Sequence, residues 1–293
     1  MNSINTGTGR VFKNNLLKVK KYTTKTIVSL ILWFLGIVTV FPFIWMISTS
    51  FKGVNDVYAF PIEWIPKNPT LDGYKNLFAG EFSFLTFYRN SVFVAAMALI
   101  GTFFSCTMAG YAYSKINFIG RDKLFLLKLS TTMIPGMVTM LPTFIIYRTL
   151  GLVNTLTALW LPMFFGGAFG VMLMRQSMIS VPNELIESAK IDGAGHPRIY
   201  WSIMLPSVKP AIATLLFMYF LWTWNDYERP LLYIQSRGLF TLPFAVKYFA
   251  NEQTSNVPAI MAANVVSMFV IMIMFFFCQK YFVRSVISSG IKG

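Results

Sequence analysis

The sequence predicts an all-α, polytopic membrane protein with six transmembrane helices, and three observations lead to this fold class. Of the 293 residues, 55% are hydrophobic and only 12% are charged, whereas a soluble domain usually carries about a quarter charged residues. The apolar residues are concentrated in six long runs. The basic residues, which give a net charge of +14, lie in the polar segments and tails between those runs. Because they are not interleaved with aromatic residues along one face, we expect no nucleic-acid partner.

Each apolar run is long enough for a helix that crosses the bilayer, which needs about 20 residues. The runs cover approximately residues 27–49, 90–113, 124–147, 156–174, 207–227 and 258–283. The first run is longer than the core of a signal peptide and no small-residue cleavage site follows it, so we expect a retained helix. The sequence therefore predicts one transmembrane domain, residues 27–283, between a basic tail (1–26) and a short tail (284–293).

The distribution of Lys and Arg predicts which side of the membrane each segment faces. Most of them lie in the N-terminal tail, the 114–128 turn, the 175–209 segment and the C-terminal tail, where acidic residues are few. The other polar segments are nearly balanced in charge. Because basic residues are enriched in cytoplasmic loops, we expect the first set of segments, with both termini, to be cytoplasmic.

Ionisable residues are almost absent from the middle of the apolar runs. A carrier driven by protons or sodium normally keeps titratable or ion-coordinating groups near mid-membrane, so their scarcity disfavours a self-energised carrier. The sequence also lacks the G-x-x-x-x-G-K-[ST] loop that binds nucleotide phosphates. If ATP drives this protein, another chain must bind it.

Two features of the apolar runs concern helix packing. Pro135, Gly136 and Pro142 interrupt the third run and predict a kinked helix, which either lines a cavity or is an ordinary packed kink. Small residues at four-residue spacing occur in the fourth run, at Gly166 and Gly170, and in the second run, at Gly101, Ser105 and Ala109. This spacing favours close contact between helices, within one subunit rather than at a subunit interface.

The sequence predicts neither catalysis nor a metal site. Cys106 and Cys278 lie in apolar runs, with no Cys or His neighbour at metal-ligand spacing. His196, the single histidine, has Glu187 and Asp192 nearby, but no activated nucleophile accompanies them. We therefore expect no catalytic residue and no bound metal in this chain.

One polar segment between the fourth and fifth runs, residues 180–206, reads SVPNELIESAKIDGAGHPRIYWSIMLP and is called the elbow below. Pro182 fits the first turn of a helix, where its missing N–H is not needed. Ser180 is placed to cap that helix, and Glu184 suits its positive start. The elbow should therefore begin with a helix.

The same segment predicts a second helix after a sharp corner. The first helix should break at Gly193-Ala194-Gly195. Pro197 then begins a second short helix, which should end before Pro206. The result is a helix–turn–helix with a small-residue surface at its corner, where a large side chain would hold a partner away.

The elbow carries a motif that resembles a family signature. Glu187-Ser188-Ala189 is followed by Gly193 after three residues and by Ile203-x-Leu205-Pro206 after nine more. This order and spacing are similar to the EAA motif of ABC importer permeases, with Ser188 in place of the second alanine. The resemblance implies a type I ABC importer permease fold, in which the elbow is the coupling helix that docks on an ATP-binding subunit. The coupling residues that it implies are Glu187, Ser188, Ala189, Asp192, Gly193, Ala194, Ile203, Leu205 and Pro206.

Other stretches extend the resemblance over most of the chain. They are 41–45, 50–52, 69–74, 224–231 and 290–293. They are similar to the second, six-helix permease subunit of maltose-type carbohydrate importers of the bacterial cell membrane. The resemblance implies four kinds of partner besides lipid: a second homologous permease, two ATP-binding subunits, an extracytoplasmic sugar-binding protein and the sugar itself. ATP and Mg²⁺ would then be bound by the partner subunits, and no cofactor by this chain.

A sugar path is expected where aromatic and amide side chains gather at the end of the fifth run. Its candidates are Trp222, Trp224, Asn225 and Tyr227, because aromatic faces stack on sugars and amides bind hydroxyl groups. An interfacial belt of Trp and Tyr explains the same residues at least as well. The resemblance also implies that the loop between the fifth and sixth runs contacts the binding protein. Its candidate contact residues are Ser236, Arg237, Gly238, Leu239 and Phe240.

Two other functions remain open on the sequence alone. The first is a permease subunit for a non-sugar solute such as a sugar phosphate, which clustered Arg or Lys in a membrane cavity would favour. The second is a stand-alone secondary carrier, which would transport without an ATP-binding partner.

Overall fold

The computed structural model describes residues 5–79, 84–252 and 256–290, and within these ranges all regular secondary structure is helical. Predictions for residues 1–4 and 291–293 of the two tails, and for 253–255 of the loop before the last run, lie outside the described residues. The α-helices are α1 (Asn5–Ser50), α2 (Asp72–Ala79), α3 (Phe84–Lys115), α4 (Arg121–Ser130), α5 (Gly136–Thr149), α6 (Thr157–Trp160), α7 (Ala168–Ile179), α8 (Asn183–Ile191), α9 (His196–Ile199), α10 (Leu205–Ser207), α11 (Lys209–Trp224), α12 (Glu228–Tyr233), α13 (Leu242–Glu252) and α14 (Val257–Gly290). Short 3₁₀ segments lie at Asn55–Tyr58, Thr131–Met133, Leu161–Phe165 and Arg237–Leu239, and a π-helical segment at Tyr200–Met204.

Several of these helices have the length and composition of transmembrane segments. In the described part of the chain, four stretches qualify singly: Tyr22–Ser50, Phe84–Lys115, Thr157–Ile179 and Val257–Lys280. Two bent pairs of helices raise the number to six if each pair is one span. The predicted all-α membrane architecture is confirmed.

The third predicted span, 124–147, is not one continuous helix. Its first part ends at Met133, its second part begins at Gly136, and the two directions differ by 100°. Pro135 explains the break, because proline lacks an N–H and disfavours a helical conformation in the residue before it. Ile134 accordingly has an extended ψ of 116°. The predicted kink is present, but it is a right-angled break.

The first and last helices are longer than the predicted spans. α1 begins at Asn5 rather than near residue 27, and α14 continues to Gly290 rather than ending near 283. The described parts of the two predicted tails are therefore helical. A helix can continue beyond the bilayer through charged residues because Lys and Arg are good helix formers.

Helix α3 contributes to both hydrophobic clusters of the core. One cluster surrounds its first half and includes Phe84, Trp224 and Leu242. The other surrounds its second half and includes Met174 and Ile199, so that it lies beneath the elbow. Like α11, which also contributes to both clusters, α3 therefore runs from beneath the elbow to the opposite end of the protein.

Small residues allow α3 to approach both α7 and the 3₁₀ segment Leu161–Phe165 closely. A Cβ atom added to Gly170 would lie 2.6 Å from Sγ of Cys106, and one added to Gly101 would lie 2.4 Å from a ring carbon of Phe164. Neither position leaves room for a side chain. The small-residue spacing in these runs therefore serves packing within one chain.

Helix α1 lies against α14 at the side of the molecule. Large apolar side chains of its membrane-length stretch are exposed, as at Trp33, which is 73% exposed. A helix that is apolar all round is typical of a membrane span, so lipid or another membrane chain must cover this surface.

Candidate functional site

The elbow connects α7 to α11 as two helical arms. The first arm is α8, and the second arm is a continuous helix from His196 to Ser207 that includes the π-helical segment. The second arm meets α11 at an angle of 81°. The predicted helix–turn–helix is therefore present, with its corner at residues 192–195.

The corner is a Schellman motif built on Gly193. This glycine has a φ of +79°, in the left-handed region that glycine enters without a side-chain clash. The Ala194 N–H donates to the Ala189 carbonyl at 2.8 Å, and the Gly193 N–H donates to the Lys190 carbonyl at 3.0 Å. These two bonds pair the last carbonyls of α8 in the pattern of this motif. The backbone at the corner therefore has one defined shape.

The nine motif residues divide between an exposed and an inward face. The exposed residues are Glu187, Ser188, Asp192, Gly193 and Pro206. The half-buried or buried residues are Ala189, Ala194, Ile203 and Leu205. Ala189 and Ala194 pack against the cluster beneath the elbow, so they hold the corner to its own chain. The predicted small-residue surface is thus reduced to Ser188 and the glycines.

The outer side of the corner is open. A Cβ atom added to Gly193 would meet no atom within 4 Å. On α8, which leads into the corner, Leu185 and Ile191 are 50% and 87% exposed. Exposed apolar side chains next to the carboxylates of Glu187 and Asp192 form a surface of the mixed composition found at protein contacts.

Ser180 does not cap α8 as the sequence predicts. Its hydroxyl donates to the Ser177 carbonyl at 2.7 Å, and Pro182 occupies the N-cap position. The hydroxyl bonds to the end of α7 because a carbonyl without a helical partner is available there.

The second arm does not end before Pro206 but continues to Ser207. The Leu205 N–H donates five residues back, to the Tyr200 carbonyl. This widened π-helical turn interrupts the regular i→i−4 ladder just before the proline, which lets the helix accommodate it.

Three polar side chains of α3, called the α3 ladder, hold the elbow: Thr107, Tyr111 and Lys115. They are four residues apart and therefore lie on one face of the helix. Thr107 Oγ1 is 2.6 Å from the hydroxyl of Tyr200. The Tyr111 hydroxyl is hydrogen-bonded to Nδ1 of His196 at 2.9 Å. Both of these bonds attach the second arm of the elbow.

The last member of the ladder attaches the first arm. Lys115 Nζ donates to the Val181 carbonyl at 2.6 Å and to Oδ1 of Asn183 at 2.7 Å. The sequence-based prediction does not include the ladder. In the sequence, the ladder is visible only as polar residues at four-residue spacing near the end of the second apolar run. This spacing does not reveal that the partner of Lys115 lies 66 residues away along the chain.

Folding places Trp224, one of the four candidates for the sugar path, in the core. Its side chain is 1% exposed, and its ring lies 5.5 Å from that of Phe220, between centroids. Its Nε1 donates to the Ser267 carbonyl at 3.3 Å. Trp224 therefore presents no ring face to a sugar in this conformation.

The other three candidates remain nearer the surface. Trp222 is 46% exposed. Asn225 is exposed, but its side-chain amide donates to the Leu221 carbonyl at 2.9 Å and so completes the end of α11. Tyr227 is half-buried, with its ring 5.7 Å from that of Phe244.

The candidate binding-protein loop, Ser236–Phe240, is exposed at its start and buried at its end. Ser236, Arg237 and Gly238 are exposed, and Leu239 is half-buried. Phe240 is 5% exposed, and its ring lies 4.5 Å from that of Phe244. Phe240 therefore anchors the loop and does not offer a contact surface.

Two asparagines from distant segments hold this loop. Asn154 Oδ1 accepts the N–H groups of Gln235 and Ser236 at 3.0 and 2.8 Å. Asn90 Nδ2 donates to two carbonyls of the loop at 2.8 and 3.1 Å. The exposed part of the loop is thus presented in a defined conformation.

Comparisons with known proteins agree with the elbow motif. Residues 101–288 match the family described as the binding-protein-dependent transport system inner membrane component. The arabinooligosaccharides transport system permease protein AraQ of Halalkalibacterium halodurans is 32% identical over 262 residues, which are 89% of this chain and 94% of that protein. The maltodextrin transport system permease protein MalD of Streptococcus pneumoniae is 33% identical over 286 residues, 96% of this chain and 100% of that protein.

A solved structure shares the fold. A chain in the crystal structure of a bacterial ABC transporter involved in the import of the acidic polysaccharide alginate superposes with a TM-score of 0.78 at 23% identity, over 90% of this chain and 98% of that chain. The importer permease fold implied by the elbow motif is therefore confirmed. Because the family match covers more than half of the chain and the relatives match nearly all of it, this chain belongs to the family of inner membrane components of binding-protein-dependent transport systems.

Proposed function

We propose that this chain is the transmembrane permease subunit of an ATP-driven, binding-protein-dependent importer of an oligosaccharide or another sugar. The sugar class is supported by the relatives, which are named for arabinooligosaccharides and maltodextrin and align over nearly their whole length. The family description supports a binding protein as partner.

The proposed assembly contains two permeases, of which this chain is one, with two ATP-binding subunits and an extracytoplasmic sugar-binding protein. ATP and Mg²⁺ are bound by the ATP-binding subunits. Both termini and the elbow face the cytoplasm, and the Ser236–Gly238 surface faces the binding protein. The exposed apolar face of α1 fits a position against lipid or the second permease.

The observation that carries the proposal is the corner of the elbow, which is rigid and open. Its shape is held by the left-handed Gly193 and by the α3 ladder. Its outer face is unfilled by this chain. A rigid arm that docks on an ATP-binding subunit and is bonded to a transmembrane helix transmits the closure of that subunit into the membrane. Alternating access of the two permeases to the two sides follows from this movement.

The test compares Gly193→Trp with Gly120→Trp. Both glycines have a left-handed φ, +79° and +82°, and open space around the Cβ position, so the backbone strain is matched. Gly120 lies in the turn between α3 and α4, outside the elbow. The complex of both permeases, the ATP-binding subunits and the binding protein is reconstituted in proteoliposomes. ATP hydrolysis and uptake of arabinooligosaccharides and maltodextrins are measured.

We expect the wild-type complex to import one of these sugars only with ATP and the binding protein. Gly193→Trp should remain in the membrane but uncouple ATP hydrolysis from uptake, whereas Gly120→Trp should retain coupled uptake. Coupled uptake at the wild-type rate by Gly193→Trp would contradict the role of the elbow. Uptake by the purified permease without an ATP-binding subunit would instead show a stand-alone carrier.

A further inference from the structure

A cavity of about 510 Å³ lies between α5 and the region where α11 passes into α12. Helix α5 supplies Met137, Thr139 and Thr143 to its lining, and α12 supplies Glu228 and Arg229. The volume lies within the range of about 300–1,000 Å³ that is typical of small-molecule sites. The cavity contains none of the four residues predicted for the sugar path.

The cavity begins at the break in the third span. Gly136, the first residue of α5, and Tyr147, near its end, both line it. At a rise of 1.5 Å per residue these two residues are about 16 Å apart along the helix. The break falls in the middle of the predicted span 124–147, and transporters commonly bind solutes where helices are interrupted near mid-membrane. Of the two explanations for the kink, the structure favours a helix that lines a cavity.

The charges of the lining do not cancel. Arg229 is paired with Asp226, with 2.6 Å between Nε and Oδ2, and it also donates to the Leu159 carbonyl at 3.3 Å. Glu228 is the third charged residue of the lining, and among the residues that the structure describes no Lys or Arg forms an ion pair with it. Arg148, although it lies on α5, does not line the cavity. Counted over the described residues, the lining therefore carries one carboxylate in excess.

The two threonine hydroxyl groups of the lining are available as acceptors. Thr139 Oγ1 donates its hydrogen to the Gly136 carbonyl at 2.8 Å, and Thr143 Oγ1 donates to the Thr139 carbonyl at 2.7 Å. Each hydroxyl oxygen keeps lone pairs that can accept a hydrogen bond. Together with the carboxylate of Glu228, they suit a solute that offers many O–H donors.

We infer that this cavity is a solute site on the import path and that it selects neutral, hydroxyl-rich solutes over anionic ones. A uronate or a phosphate would bring a second negative charge next to Glu228, in a cavity whose single arginine is already paired, and such like-charge contacts are unfavourable. The inference rests on the proposed function and narrows its substrate class to neutral sugars. It also argues against the alternative of a sugar phosphate.

The charge of the cavity is tested with a cationic and an anionic methanethiosulfonate of similar size. In the assembled complex, with Cys106 and Cys278 replaced by Ser, Met137→Cys places a thiol in the cavity. Val138→Cys places a thiol of similar accessibility outside it, since the two native side chains are 74% and 64% exposed. We expect the ratio of cationic to anionic reaction rates to be about tenfold higher at 137 than at 138. Glu228→Gln should remove this difference between the two positions. Equal ratios at 137 and 138 in the complex that retains Glu228 would refute the assigned charge.

Occupation by the solute is tested by filling the cavity. Thr139→Trp adds bulk to the lining, and Val138→Trp is the matched control on the other side of α5. We expect Thr139→Trp to reduce maltodextrin or arabinooligosaccharide uptake at least about tenfold while the binding protein still stimulates ATP hydrolysis. Val138→Trp should retain both activities. Wild-type uptake by Thr139→Trp would refute the site.

A second variant guards against a failure of Thr139→Trp to assemble, which copurification with the ATP-binding subunits would reveal. Thr143→Val removes an acceptor at nearly constant volume and should raise the KM for uptake roughly threefold. An unchanged KM would count against the site.

If the wild-type complex imports no sugar, the proposed function fails. If it imports sugar and the cavity variants behave as wild type, the inference alone fails.

Discussion

The small residues of the elbow divide between those that shape its corner and those on the proposed docking surface. Ala189 and Ala194 lie inward, and the hydrogen bond between their backbones closes the corner. Ser188 and Gly193 lie on the exposed side of the elbow. The small size of all four residues is therefore explained by two separate spatial limits, one inside this chain and one at its proposed interface.

Lys115 is the residue of the α3 ladder with the most partners. Besides Val181 and Asn183, its Nζ lies 3.5 Å from the Ile179 carbonyl at the end of α7. A cation at this position satisfies carbonyls that the helix itself leaves unpaired and complements the negative end of its dipole. The start of the elbow thus depends on one charged side chain from another helix.

We predict that Lys115→Met reduces sugar uptake by about tenfold, because it removes the hydrogen bonds that attach the start of the elbow to α3. Hydrogen bonds from a charged donor contribute about 1.5–3 kcal/mol. Lys115→Arg, which retains the charge, should recover part of the uptake. The control is Lys123→Met, which removes an exposed lysine from α4 and should leave uptake unchanged. Uptake per reconstituted complex is the measurement. Equal uptake by the Lys115→Met and Lys123→Met complexes would contradict the anchoring role.

At the scale of elements, α3 and the elbow form one unit. The ladder bonds both arms to one face of α3, and the cluster around Ile199 and Met204 fills the space between them. Polar bonds set the register and apolar packing excludes alternative positions. A displacement of the elbow should therefore displace α3 with it.

Spin labels can test whether this unit is rigid. We predict that the distance between labels at Asn117, just after α3, and Lys190, an exposed residue of α8 outside the motif, stays constant when ATP binds to the assembled complex. The distance between Lys190 and Thr26 on α1 should change, because α1 packs along α14. Pulsed electron paramagnetic resonance measures both distances. A change between 117 and 190 as large as that between 26 and 190 would show that the elbow moves independently of α3.

For the whole molecule, the predicted orientation places the elbow and the ladder on the cytoplasmic side and the Asn154-supported loop on the other. The two hydrophobic clusters then occupy opposite ends of α3. The cavity lies along α5, from Gly136 next to the break at Pro135 to Tyr147 near the other end of the helix. Under the proposed function, this order places the binding-protein surface, the solute site and the coupling elbow in sequence across the membrane.

The orientation is tested by sided labelling in membrane vesicles, with Cys106 and Cys278 replaced by Ser. Ile65→Cys, at a side chain that is 83% exposed in the segment after α1, should react with a membrane-impermeant thiol reagent in right-side-out vesicles. Lys123→Cys should react in inside-out vesicles. The opposite pattern would reverse the proposed topology.

The sequence by itself determined the apolar segments, an interruption of the third segment at Pro135 and the elbow with its glycine corner. These features depend on local chemistry: the length of an apolar run, the missing N–H of a proline, and the left-handed φ that glycine tolerates. The tertiary structure decided which motif residues face inward, that Trp224 is buried, that the α3 ladder meets the elbow, and that α5 and α12 line an open cavity. α11 is apolar on every side, so its residue pattern does not mark the face that becomes buried. The contacts of the ladder and the cavity join segments tens of residues apart, and only the packing of whole helices brings them within bonding distance.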